Sequence, residues 1–105
     1  MIARALTRAE VALCLTDVQA DIFGLGVRRL ALFGSVQRDA ARSDSDVDVL
    51  VEFRPGEKSY DHFFALGELL ERVPNRPVEL VTAESLSPFL RPHILAEAND
   101  VVRAA

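Results

Sequence analysis

The sequence predicts an α+β domain: a small mixed β-sheet of three to four strands with helices packed on one face. Three observations predict it. Residues 46–53 carry apolar side chains at every odd position (Val47, Val49, Val51, Phe53), while the even positions are Asp46, Asp48, Leu50 and Glu52. That period of two puts one face of a strand on the core and turns the carboxylates to the other. Two further stretches place apolar residues at helical spacing behind a capping residue. The whole pattern runs helix, strand, short helix, strand, helix, strand, helix within 105 residues, the length of one small domain spanning 1–105.

Thr7-Arg8-Ala9-Glu10 has the form of a capping box, and Val11, Leu15, Val18 and Ile22 follow at helical spacing until Gly24 and Gly26. Cys14 lies beside that stripe and reads as a small core residue. Val27 to Phe33 reads as a strand ended by Gly34, with a short helix or loop from Val36 to Ser43. Asp46 to Phe53 is the clearest strand, closed by the turn Arg54-Pro55-Gly56-Glu57. Ser59 caps a helix whose stripe is Phe63, Leu66, Leu70 and Val73, and Pro74 to Pro77 breaks it. Val78 to Val81 is a short strand. Ser87-Pro88 opens a last helix, which Pro92 kinks or restarts, and Val101-Val102 adds a terminal strand.

Composition narrows the function. The formal net charge of −4 disfavours a nucleic-acid ligand, whose affinity rests on Lys and Arg meeting phosphates. Cys14 is the single cysteine, which excludes an intrachain disulfide. No stretch has the form of a signal peptide or reaches the roughly 18 apolar residues of a membrane span. A cytoplasmic protein with no membrane partner is the expectation, with homo-oligomerisation left open. A chain this short has room for one core, so the acceptor of any transfer reaction is expected to be small or to come from another protein.

The chemistry concentrates in one constellation. Asp46 and Asp48, at i and i+2 on a strand, point the same way and come within reach of one cation, and Glu79 on a neighbouring strand completes a carboxylate set. Magnesium favours such hard anionic oxygens and keeps phosphates and water as its remaining ligands. Gly34-Ser35 stands where a strand gives way to a helix, a place where backbone and hydroxyl accommodate an anion. Arg38 lies one turn on, within reach of a triphosphate. Alone, an Asp-x-Asp is usually a solvated strand face and a Gly-Ser usually a turn. Together, Gly34, Ser35, Ser45, Asp46 and Asp48 would match by chance at about one start position in a million from average composition. Glu52, His62, His93 and Tyr60 read as surface or structural residues, and Arg91 is open between a partner and a phosphate.

Gly34-Ser35 followed by Ser45-Asp46-Val47-Asp48 resembles the signature of the DNA polymerase β-like nucleotidyltransferases. The downstream runs Pro77-Val78-Glu79-Leu80-Val81 and Leu86-Ser87-Pro88-Phe89-Leu90-Arg91-Pro92 are similar to the minimal nucleotidyltransferases (MNT), antitoxins of HEPN–MNT pairs. The resemblance implies the nucleotidyltransferase fold, with Gly34, Ser35, Arg38 and Ser45 at the nucleotide and Asp46, Asp48 and Glu79 as catalytic magnesium ligands. It implies an enzyme that moves AMP from ATP onto a tyrosine hydroxyl of a HEPN toxin, a type VII-like antitoxin. The sequence departs from the family at Gln37 and Asp39, where alanine and glycine are usual, and at Glu79, where aspartate is usual. Asp39 would bring a negative charge to the phosphate site unless it points away. Two alternatives stand beside this reading: an antitoxin that works by binding alone, and a transferase acting on an aminoglycoside-like small molecule.

Overall fold

The computed structural model describes residues 5–104. Chain order runs α1 (Arg8–Asp17), α2 (Gln19–Gly24), β1 (Val27–Phe33), α3 (Gly34–Gln37), β2 (Val47–Phe53), α4 (Tyr60–Arg72), β3 (Val78–Thr82), a 3-10 turn (Ala83–Ser85), α5 (Arg91–Glu97) and β4 (Asn99–Arg103). The strands form one sheet in the order β3-β2-β1-β4. β1 runs antiparallel to β2 and β4, and β2 runs parallel to β3, so the sheet is mixed as the sequence predicts.

The capping signals act as read. Thr7 Oγ1 accepts from the Glu10 N–H while Glu10 reaches back to the Thr7 N–H, closing the capping box. Ser59 Oγ accepts from the His62 N–H at the start of α4. The single first helix expected from the sequence is interrupted at Val18, where the backbone leaves helical geometry and divides α1 from α2. The strand expected from Asp46 begins at Val47, leaving Asp46 on the approaching loop.

The main core lies on one face of the sheet. Val11, Leu15 and Ile22 from α1 and α2, with Leu66 and Leu70 from α4, pack on Leu30, Leu32, Val47, Val49 and Val51. Each such buried side chain stabilises by ~1.5–3 kcal/mol relative to exposure. A smaller cluster covers the other face: Ala31, Phe33 and Leu50, with Val81, Leu86 and Ile94 against them. The long helices therefore share one face as expected, and the 3-10 turn and α5 cover part of the face that carries Asp48. Cys14 is only partly buried.

A carboxylate site at one end of the sheet

The register gathers the site. On β2, Asp48 lies opposite Phe33 of β1 on one side and opposite Glu79 of β3 on the other. Paired residues share a sheet face, so the Asp48 and Glu79 side chains stand side by side. The Asp48 carboxyl is accordingly raised from 3.8 to about 6. Burial is the first cause, then the hydrogen bond and charge of Glu79, then the charges of Asp46 and Glu97.

Gly34 follows β1 with φ 75°, the left-handed region where a side chain is strained. A Cβ there would collide with the Asp48 carboxylate. Glycine is thus required twice, by conformation and by close approach, and the carboxylate lies directly over the turn that opens α3. Ser35 is the next residue, partly exposed at that turn.

The other predicted residues arrive less directly. Among the described residues, no three His, Cys, Asp or Glu side chains close on one point as a ready-made metal cage. The expected trio is a close pair, Asp48 and Glu79, with exposed Asp46 standing off but near enough to raise Asp48. Magnesium needs only one or two protein carboxylates alongside substrate phosphates, so the donor set fits that ion. Arg38 does not point free into the site: its guanidinium is ion-paired with Glu97 of α5. Ser45 Oγ accepts from the Arg42 N–H at 2.8 Å and closes the turn that delivers Asp46.

Asp39 resolves one departure noted above. It adopts φ 54°, the left-handed conformation that glycine would favour and aspartate tolerates. Its Oδ1 accepts from the Arg8 N–H at 2.8 Å, so the charge is engaged at the start of α1. Gln37 Oε1 is buried without a hydrogen-bond partner among the described residues. Glu97 is the residue that sequence reading missed, since it lies 59 positions from Arg38 and carries no local signal. His62 hydrogen-bonds the Glu57 carbonyl through Nδ1 at 2.6 Å, a structural role as read. Tyr60 stacks on Phe64 at 6.2 Å between ring centroids. No helix among the described residues is long and apolar enough to cross a membrane.

A family model for the nucleotidyltransferase domain matches residues 18–101. The chain is similar to the protein adenylyltransferase MntA of Thermococcus cleftensis, 37% identical over 93 residues that span 88% of this chain and 93% of that one. A solved structure assigned as a minimal nucleotidyltransferase superposes with a TM-score of 0.78 at 32% identity, covering 90% of this chain and 95% of that one. A chain from the complex of tri-AMPylated Shewanella oneidensis HEPN toxin with MNT antitoxin superposes with a TM-score of 0.64, covering 93% of this chain and 74% of that one. At 16% identity, that last likeness is one of fold.

Proposed function

The chain belongs to the nucleotidyltransferase domain family, and we propose that it transfers AMP from magnesium-bound ATP onto a tyrosine hydroxyl of a HEPN-type toxin, acting as that toxin's antitoxin. One observation carries the reading: a half-buried carboxylate, Asp48, standing beside Glu79 and seated over the Gly34 turn. Such a group is costly as an anion, and no ion pair among the described residues neutralises it.

In this reading the Gly34–Ser35 turn holds the triphosphate through backbone N–H groups and the Ser35 hydroxyl. Arg38 leaves Glu97 for the phosphates, and Ser45 fixes the loop that carries Asp46. Asp48 and Glu79, joined by Asp46, hold magnesium, which when bound neutralises phosphate charge and lowers the pKa of the attacking hydroxyl. The chain positions the acceptor oxygen in line with the α-phosphorus; the hydroxyl gives up its proton to water as the O–P bond forms, the α–β phosphate bridge breaks, and pyrophosphate leaves. Residues 1–105 act as one cytoplasmic domain, where ATP and the toxin are both available.

The acceptor is a protein in this account because the hollow beside Glu79 is an open groove rather than an enclosing pocket. The binding-only alternative loses one support, because the Asp39 charge is engaged at the start of α1. Labelled ATP, magnesium and a HEPN-type toxin provide the test. Label on the toxin's tyrosine is expected. Absence of label, or equal labelling by the Asp46→Ala/Asp48→Ala variant, contradicts the proposal. Full rescue from toxicity by that folded variant would establish binding alone.

A further inference from the structure

β3 is an edge strand, and an open groove of about 620 Å³ runs between it and α4. Phe63, Phe64 and Val78 give it an apolar lining, while Glu68, Glu71 and Glu79 are its charged members. None of its lining side chains is cationic. Phe64 is 57% exposed and Tyr60, stacked on it, is 80% exposed, so two aromatic rings stand at the groove's rim in water. Burying such rings on a partner is favourable, and aromatic residues are the usual anchors of protein interfaces.

The groove and the reaction site meet at the edge of β3: Val78 and Leu80 face α4, while Glu79 between them lines the groove's edge and turns its side chain to the other face, beside Asp48. The outer edge of β3 is largely closed to strand addition: the Val78 N–H donates to Glu71 Oε2 at 3.1 Å, and the Thr82 N–H donates to Ser85 Oγ at 3.2 Å. An occupant therefore inserts side chains into the groove instead of extending the sheet. Glu68 and nearby Asp61 have no ion-pair partner among the described residues. The complement of this surface is a segment with an apolar anchor flanked by cations.

We propose that the α4–β3 groove docks the acceptor segment of the partner protein, a stretch with an apolar residue and flanking Lys or Arg, laid so that its hydroxyl reaches the Glu79 end. This deepens the transferase reading and rests on it for the identity of the acceptor. Docking comes from Phe63, Phe64 and the acidic wall. Glu79 alone belongs to both surfaces.

The test uses the full chain and a HEPN-type toxin as the partner protein. Binding is measured by calorimetry without ATP, and label transfer is measured with ATP and magnesium. Phe64→Ser with Glu68→Lys is expected to weaken binding at least tenfold and raise the acceptor KM by the same factor, with the KM for ATP and the melting temperature unchanged. Glu68→Lys alone, at an exposed helix position, tests the electrostatic half without altering packing and is expected to act in the same direction. Wild-type binding and acceptor KM in both variants would overturn the groove. So would a chain dimer that Phe64→Ser splits while toxin affinity stays constant. Groove-dependent binding without any transfer would support the groove and sink the transferase reading. Transfer that ignores the groove would do the reverse.

Discussion

The two ends of β2 present the same carboxylate-bearing face in opposite electrostatic states. At the far end, Glu52 lies opposite Arg29 in the ladder and is ion-paired with Arg28 at 3.4 Å and Arg29 at 3.7 Å. Asp100 of β4 is likewise paired, with Arg29 at 3.5 Å and Arg103 at 2.9 Å. At the near end, Asp48 meets Glu79 and feels Asp46 and Glu97, all acidic. Arg38, the residue after α3, is held by Glu97. One strand thus carries a neutralised carboxylate and an unneutralised one, four positions apart. The difference separates the carboxylate that the fold itself neutralises from the one it does not, which the Asp-x-Asp pattern alone does not do.

The sharpest way to break this contrast is to remove charge at both ends. Asp46→Ala with Asp48→Ala is expected to cut label transfer by roughly a thousandfold, a loss of several kcal/mol at tenfold per ~1.4 kcal/mol. Glu52→Gln is expected to leave transfer unchanged and to cost at most ~1 kcal/mol in urea unfolding, because exposed ion pairs contribute little. Equal losses of transfer would erase the distinction between the ends.

A second contrast lies between glycines. Gly34 and Gly56 both adopt positive φ, but a side chain at Gly56 meets nothing within 4 Å, whereas one at Gly34 strikes Asp48. Gly56→Ala should cost ~1–2 kcal/mol of stability from backbone strain alone. Gly34→Ala should cost more and remove ATP binding as well, which a nucleotide titration would read. The smallest effect is expected at Glu97. Glu97→Gln frees Arg38 and removes a charge that repels phosphates, so the KM for ATP should fall about two- to fivefold, the worth of a partly exposed ion pair. A rise would mean that the pair holds α3 in its working position.

Much of this was legible beforehand, for reasons that are local. The alternation of residues 47–53, the Thr7 and Ser59 caps and the Gly34 turn each depend on neighbours a few positions away, and each formed as read. Asp48 and Glu79 were legible as a pair because strand patterns predict facing directions. Asp46 was placed too confidently in the strand, since its spacing says nothing about where pairing begins. Long-range contacts left no trace in the sequence. Asp39 caps Arg8 across 31 positions, Arg38 is taken by Glu97 across 59, and the covering of the second face by α5 depends on Ile94 meeting Phe33 and Leu50.

The central claim is that Asp48 is kept at a cost to the fold for the sake of a bound cation and nucleotide. Its raised pKa sets the sign: stability from the protonated form is fully present below 3.8 and is lost as pH rises through about 6. Thermal melting of the wild-type chain and of Asp48→Asn, at pH 5 and pH 7.5, with and without ATP and magnesium, tests this directly. Without ligands, Asp48→Asn should melt higher than wild type at pH 7.5 and by a smaller margin at pH 5. Only the wild type should gain stability from ATP with magnesium at pH 7.5. An Asp48→Asn variant that melts lower at pH 7.5, or that gains as much from ATP with magnesium, would contradict the account.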